Sequence, residues 1–492
     1  MTTNPFHLNF DDSYAQALPE LVAASLAESA PAPQLIVLNE TLAKTLGLSA
    51  SALQTEQGIR FLTGNTEALA KQSYAMAYSG YQFGHLSPVL GDGRALLVAE
   101  HLTAQQQRYD LHTKGSGRTP FSRRGDGKAA LAPMLREYIM GEAMHALGVP
   151  TTRALAVVAT GDLIHRTGAE QGAVLMRVAA SHIRVGTFQF AAMHTSPDTL
   201  RRLADYTIQR HYPALIGCDE PYLQLIQALV KRQAQLISQW VALGFVHGVM
   251  NTDNMTLSGE TIDYGPCAFI DAYNPKAVFS SIDHSGRYAY GNQPAIAQWN
   301  VARFAETLLP LIADGAEQAI QLATQAVDDF ATEYQEAWLN TLRPKLGLHS
   351  PEASDTELIE TWLYLLEQQQ VDYTQALRAL APAAQGNSEA LLKLFRKPEL
   401  IDSWLKQWQA RLKHDALTVD AQVTAMNAVN PVYIPRNLLV EEALSAAVRG
   451  DLSVLERLMT VLKQPFTERE GFERYSVGAP AEFGDYITYC GT

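Results

Sequence analysis

The sequence predicts an α+β protein of two lobes, a small one that holds an antiparallel sheet and a large helical one. Three observations predict it. The stretches Ala95-Leu96-Leu97-Val98-Ala99-Glu100 and Arg108-Tyr109-Asp110-Leu111-His112-Thr113-Lys114 carry the alternation expected of strands. From about Pro197 onward the periodicity of amphipathic helices dominates. That periodicity breaks once, between His247 and Asn292, in an irregular loop region.

In chain order, residues 1–74 read as a helical, Ala/Leu-rich lead-in broken by Pro19, Pro31 and Pro33. From about Tyr78 to Thr187 the chain turns glycine-rich and strand-like. A helix is expected over 128–147, its apolar face carried by Leu131, Leu135, Ile139 and Met144 and its end marked by Gly148 and Pro150. Further strands are expected at 154–159 and 173–178. Long helices are expected at 222–243, 297–312 and 316–342, and a Gln- and Ala-rich helical tail extends to about Leu462. The division that follows is an N-terminal lobe over 1–190 and a C-terminal lobe over 191–492, the latter holding an irregular loop at 247–265.

The 492 residues carry 38 basic and 51 acidic side chains, a net charge of −13. An acidic balance argues against general nucleic-acid binding, which needs clustered Lys and Arg to neutralise phosphates. Three cysteines, Cys218, Cys267 and Cys490, are too few and too scattered for a disulfide framework or a zinc cluster. The first residues lack the basic and apolar regions of a signal peptide, and no apolar run is long enough to span a membrane. The expectation is a soluble, cytoplasmic enzyme or binding protein.

The irregular loop is the informative place. His247-Gly248-Val249-Met250-Asn251-Thr252-Asp253-Asn254 is followed by Asp263-Tyr264-Gly265. Kinase-like phosphotransferases carry His-x-Asp-x-x-x-x-Asn, then Asp-Phe-Gly, on such a loop and hairpin. Asn254 and Asp263 offer the hard oxygen donors that Mg²⁺ takes when it bridges nucleotide phosphates. Aligning Asn254 puts Val249 where a kinase has its base, and valine cannot accept a proton. A carboxylate returns at Asp253. His247 is expected to brace backbone. Alone, the motif also reads as an ordinary loop of turn-forming residues.

The N-terminal lobe adds weight. Lys114 ends a strand and Glu137 lies in the helix that follows, the arrangement that holds an ammonium near nucleotide phosphates in kinases. Gly91-Asp92-Gly93-Arg94 is half of a Gly-x-Gly-x-x-Gly loop, or a plain hairpin turn. Lys114-Gly115-Ser116-Gly117-Arg118 leads through Ser122-Arg123-Arg124-Gly125-Asp126-Gly127-Lys128 to a helix start, where free backbone N–H groups favour anions. Arg177 and Arg184 flank Ser181-His182; their forks suit terminal phosphates, or they are solvated surface arginines. The order of these features along the chain is that of a kinase-like nucleotide site.

Tyr81-Gln82-Phe83-Gly84-His85, Leu90-Gly91-Asp92-Gly93-Arg94, Gly125-Asp126-Gly127, Glu142-Ala143-Met144-His145-Ala146-Leu147-Gly148 and His247–Asn254 with Asp263-Tyr264-Gly265-Pro266 closely resemble the SelO (selenoprotein O, YdiU) family. The resemblance runs from about residue 70 to 295, with echoes at Asn430–Asn437 and at the tail. It implies a kinase-like fold that transfers AMP, with ATP flipped so that its α-phosphate faces the acceptor hydroxyl. On this resemblance Asp253 is the general base and Asn254 and Asp263 hold Mg²⁺, or Mn²⁺ in its place. Lys114, braced by Glu137, with Arg177 and Arg184, holds the buried phosphates, and Gly91, Gly93, Arg94, Asp126 and Gly127 complete the nucleotide pocket.

The partners it implies are proteins modified on Ser, Thr or Tyr hydroxyls; ordinary phosphoryl transfer and a silent ATP-binding scaffold are the other readings. The sequence departs from the family twice. Tyr81 stands where many relatives carry His. Val278-Phe279-Ser280-Ser281-Ile282-Asp283 lacks the cysteine that bacterial relatives can pair with a C-terminal one. Cys490, on an expected flexible tail, reads as an inert thiol or as an exchange partner, with Cys267 the conspicuous candidate.

Overall fold

The computed structural model describes residues 6–65, 72–166 and 168–489. Seven strands follow one another across a single antiparallel sheet in the order Val22–Ser25, Ser73–Met76, Ala95–Leu102, Arg108–Lys114, Ala169–Ala179, Arg153–His165 and Gln34–Leu38. Two short strands add to it, Phe10–Asp11 beside Ala95–Leu102 and Ala129–Ala130 beside Ala169–Ala179. Successive side chains of a strand point to opposite faces, so the sheet divides two apolar cores. Leu96, Val98, Leu111, Met176 and Val178 face a smaller core closed by Leu42, Leu46 and Phe61 from the short N-terminal helices. Leu97 and Leu175 face the main core, which continues through the helix Leu131–Ala146 into the helical part of the chain.

The same pleat places polar side chains. Asp110, His112 and Lys114 alternate with Leu111 and Thr113, and Arg177 lies directly opposite His112 in the pairing of Arg108–Lys114 with Ala169–Ala179. All four of these polar residues are buried. They form a charged layer between the sheet and the helical half.

In that half the helix Pro221–Leu243 packs against Gln293–Ile312 and Phe330–Lys345. It ends on Gly244, whose left-handed φ of 75° lets its N–H reach the Trp240 and Val241 carbonyls. The strand Phe245–Val246 then pairs with Ala268–Phe269, and the irregular loop is carried between them. Among the described residues no helix is long and apolar enough to cross a membrane.

Several expectations need correction. The lead-in is not simply helical: it contributes Val22–Ser25, Gln34–Leu38 and Ser73–Met76 to the sheet as well as short helices. Alanine favours helices intrinsically, but pairing across a sheet overrides so weak a preference. A run such as Leu35-Ile36-Val37-Leu38 carries no period that tells strand from helix. The helix expected over 128–147 starts at Leu131, because Ala129 and Ala130 are pinned to Ala173 and Gly172. The stretch 316–342 is two helices, Ala316–Asp328 and Phe330–Lys345, hinged at Asp329.

The tail is anchored as far as Thr488. Thr488 donates its N–H to the Phe279 carbonyl (2.7 Å) and its hydroxyl to the Pro266 carbonyl (2.8 Å), while Ser281 N–H donates to the Thr488 carbonyl (2.9 Å). Cys490 lies outside the described residues. Cys267 is buried, and burial pushes its thiol up to about 12, which leaves almost no thiolate for exchange at neutral pH.

Candidate active site

The loop that follows Phe245–Val246 is tied down by its own side chains. His247 Nε2 donates to the Ile262 carbonyl (2.8 Å), and its backbone N–H donates to Gln293 Oε1 (3.0 Å). Asn254 Nδ2 donates to the Val249 carbonyl at 2.9 Å, and its Oδ1 has no donor among the described residues.

A hairpin, Gly80–Gln82 with His85–Ser87, clamps the loop from the other side. Tyr81 N–H donates to Thr252 Oγ1 (2.8 Å), and Asn251 Oδ1 accepts from Phe83 N–H (3.1 Å) and the Tyr288 hydroxyl (2.7 Å). These bonds hold Asp253 between the hairpin and the helix Val185–His194. A side chain on Gly80 would overlap Asp253 Oδ1, and one on Gly186 would overlap the Ser79 carbonyl.

Asp253 is therefore buried with an unusual carboxylate. Its Oδ1 has no hydrogen-bond partner among the described residues. Burial pushes the carboxyl up to about 7, against the pull of Arg184. A carboxylate that half-ionises near neutrality and is free to accept a proton is what general-base work requires.

Asp263 is the opposite case. It sits at φ 62°, a left-handed conformation that costs a non-glycine residue energy. Its Oδ1 accepts from Lys114 Nζ (2.5 Å) and from Arg177 Nη1 (2.7 Å), and Oδ2 makes no hydrogen bond to described residues. Lys114 and Arg177, with Arg184 beyond, hold its carboxyl well below the usual range although burial works the other way. Lys114 Nζ also donates to Glu137 Oε1 from the neighbouring helix, and Arg177 Nη1 lies 3.9 Å from Glu137 Oε2. Arg184, the residue before the helix Val185–His194, lies over the Tyr78 ring at 4.3 Å and 3.9 Å from Asp92 Oδ1.

Lys114, Glu137, Arg177, Arg184, Asp253, Asn254 and Asp263 thus converge, with Gly93 and Arg94, on one cleft of about 560 Å³. Gly91, Asp126 and Gly127 are not in it. They line an adjoining, more open recess of about 930 Å³ that shares Tyr78, Gly93, Arg94 and Asp253 with the cleft. Gly91 has φ 62° and lies under the Phe121 ring; Gly127 has φ 70° and would overlap the Gly117 carbonyl if it carried a side chain. Asp126 is fixed by both arms of Arg166, at 2.8 and 2.9 Å, and those bonds hold its carboxyl down to about 2.

The donor set suits a divalent cation that also takes phosphate oxygens. Among the described residues no three His, Cys, Asp or Glu side chains cluster as a metal cage. Asn254 Oδ1 and Asp263 Oδ2 are hard oxygens without protein donors, the sparse set that Mg²⁺ uses when phosphates and water complete its shell.

Comparison with known proteins gives the family. The family model described as "Protein adenylyltransferase SelO" matches residues 5–463. The chain belongs to the SelO family. Its match extends well beyond residues 70–295, where the motifs are densest. A "Protein nucleotidyltransferase YdiU" of Mycolicibacterium paratuberculosis is 54% identical over 489 residues, covering 98% of both chains. Another of that name, from Chromobacterium violaceum, is 55% identical over 480 residues, 96% of this chain and all of the relative. This SelO-family chain is a nucleotidyltransferase, an enzyme whose substrate is a nucleotide.

At this SelO-family site Gly80, His112 and Tyr78 lie outside the motifs, and Asp92 lies inside Gly91-Asp92-Gly93-Arg94 without a role that the motif assigns to it. The period of Asp110-x-His112-x-Lys114 is a signal that places His112 on the face of Lys114. Nothing in the sequence announces that Gly80 leaves room for Asp253. Replacing Gly80 with Ala should therefore displace the carboxylate. We expect transfer to fall about 10²-fold, the cost of roughly 1 Å of misplacement, with ATP affinity unchanged; steady-state rates beside calorimetric titration test it.

Proposed function

We propose that this chain is a protein adenylyltransferase on a kinase-like two-lobed fold, moving AMP from ATP to Ser, Thr or Tyr hydroxyls of cytoplasmic proteins. One observation carries the reading: the guanidinium groups of Arg177 and Arg184 in the inner cleft are buried, whereas the cations of the outer recess, Arg118, Arg123, Arg124, Lys128 and Arg166, are exposed or half-buried. Arg177 and Arg184 are only 3% and 2% exposed, whereas the Asp126 side chain in the outer recess is 40% exposed. A guanidinium can stack on an adenine ring, but its fork of N–H donors matches terminal phosphates, which gain charge-assisted hydrogen bonds and offset the charge buried there. The β- and γ-phosphates therefore go inward to Lys114, Arg177 and Arg184, and the base goes outward toward Gly91, Asp126 and Gly127. The α-phosphate falls between them, beside Asp253, which lines both spaces.

The chemistry follows from that polarity. Asp253 accepts the acceptor hydroxyl's proton as its oxygen attacks the α-phosphorus. The bond from that phosphorus to the β-phosphate oxygen breaks, and pyrophosphate leaves into the cationic end of the cleft. Asn254 and Asp263 would hold a Mg²⁺ or Mn²⁺ ion, which would neutralise charge on the phosphates. Glu137 holds Lys114 in place, and Gly93 and Arg94 border the path from cleft to recess. Val249 fits the same picture: with ATP reversed, a carboxylate at the kinase-base position has no reacting hydroxyl to serve.

Parallel incubation of the protein and a cell lysate with ATP labelled at the α- or the γ-phosphate tests the reading. Label from the α position is expected to stay on protein through denaturation, and label from the γ position is expected in free pyrophosphate. Stable γ-label on the acceptor would mean phosphoryl transfer instead.

A further inference from the structure

Behind the cleft lies a pair of stacked imidazoles that the chemistry above does not use. His112 and His182 stack with ring centroids 4.0 Å apart and planes 18° from parallel, both fully buried. His182 turns away from the site: Asp110 Oδ2 accepts from its Nδ1 (3.1 Å) and its backbone N–H (2.8 Å). His112 turns toward it. Nε2 of His112 lies 2.9 Å from Asp92 Oδ2, and its Nδ1 lies 3.0 Å from Arg177 Nη2.

These partners leave one protonation state. A guanidinium can only donate, so Nδ1 must be a lone pair; a carboxylate can only accept, so Nε2 must carry the hydrogen. A doubly protonated ring would present Arg177 with a like charge and no acceptor. Asp92 Oδ2 is itself fixed by the Met76 N–H at 3.0 Å. The result is a continuous series of buried contacts from the Gly91–Gly93 turn, through Asp92 and His112, to Arg177 and on to Asp263 Oδ1 (2.7 Å).

The guanidinium of Arg177 is held at two of its three nitrogens. Nη2 is spent on His112 and Nη1 on Asp263, while Nε has no partner among the described residues. Without His112 it can turn about its last bond, and its aim is lost.

We propose that His112 is a positioning residue: held as the Nε2–H tautomer by Asp92, it lends Arg177 an acceptor that aims the guanidinium at Asp263 and the phosphate end of the cleft. This rests on the assignment of Arg177 and Asp263 to the triphosphate under Proposed function. His112 touches neither substrate nor metal in this role; it acts through Arg177.

Two variants separate aim from bulk. His112→Asn keeps an oxygen near the Nδ1 position, so Arg177 keeps its acceptor while Asp92 loses its donor. His112→Gln keeps a donor near the Nε2 position, so Asp92 is served while Arg177 is not. Both remove the ring and its stack on His182, so a purely structural role predicts equal losses. The proposal predicts roughly tenfold or greater loss of kcat in H112Q and less than about threefold in H112N, at similar melting temperatures. Transfer is scored with α- and γ-labelled ATP in parallel. A different reaction class changes which label the wild type transfers, while the ranking of the two variants still reports on His112.

Two measurements do not depend on turnover. Calorimetric ATP affinity should follow the same ranking. In ¹⁵N-histidine-labelled protein, the resonance that disappears in H112N should show the neutral Nε2–H pattern in the wild type and shift at Nδ1 in Arg177→Met. Equal losses in H112N and H112Q that track melting temperature, or a ring protonated at Nδ1, would overturn the proposal.

Discussion

Replacing Asp253 with Asn is expected to remove transfer almost completely, by about 10²–10⁴-fold, the range of general-base catalysis, while ATP binding persists. The substitution keeps the shape of a side chain fitted against Gly80 and removes only its capacity to take a proton. A catalytically silent nucleotide-binding scaffold would show no change in any reaction it was credited with. The pH profile carries the same information. Burial holds the Asp253 carboxyl at about 7, so it is increasingly protonated, and unable to accept, as the pH falls. The wild-type rate should rise with pH and level off, with its inflection at or below about 7 because a nearby divalent cation favours the ionised form. The residual activity of D253N should lack that inflection.

The second large effect is expected on stability as well as activity. Lys114 is the cation between Glu137 and Asp263, and the Lys114 and Glu137 side chains are only 10% and 5% exposed. Lys114→Met leaves Glu137 as a buried carboxylate whose nearest remaining cation is Arg177, 3.9 Å away. Breaking a buried pair in this way costs roughly 3–5 kcal/mol. The double variant Lys114→Met, Glu137→Gln removes the unpaired charge and should recover most of that loss in urea unfolding. It should recover none of the transfer if Lys114 holds the phosphates as proposed, because the ammonium in the cleft is still missing. If the double variant regained activity, Lys114 would be a structural residue only.

What could be read in the sequence was what short-range pattern carries. The strands about Leu97 and Leu111, the helix holding Glu137 and the loop around Asp253 all announce themselves within a dozen residues. So do Lys114, Asn254 and Asp263, because motif spacing is local. The lead-in strands were not legible, because an Ala-rich segment such as Val22–Ser25 becomes a strand only through its pairing with Ser73–Met76, some 50 residues on. The two glycine-lined spaces could not be told apart either. Gly91 and Gly93 are neighbours in the chain, yet only Gly93 borders the inner cleft, and the Phe121 ring packed on Gly91 decides it. Gly80 and His112 matter through partners 173 and 65 residues away in the chain, Asp253 and Arg177; strand parity puts His112 on the face of Lys114, but nothing nearby announces either partner.

The pleat of Arg108–Lys114 has a consequence for how such a chain tolerates insertions and deletions. Leu111 and Thr113 serve the core beneath the sheet while Asp110, His112 and Lys114 serve the cleft, and only parity along the strand assigns each side chain to its layer. A deletion of one residue within the strand would exchange the two sets. Leucine would then face the cleft and an ammonium would face the core that holds Phe61. A length change is therefore expected to be tolerated only at the turn 103–107, where Gln106 already holds a left-handed φ of 62° and the chain can absorb a residue without passing the shift along.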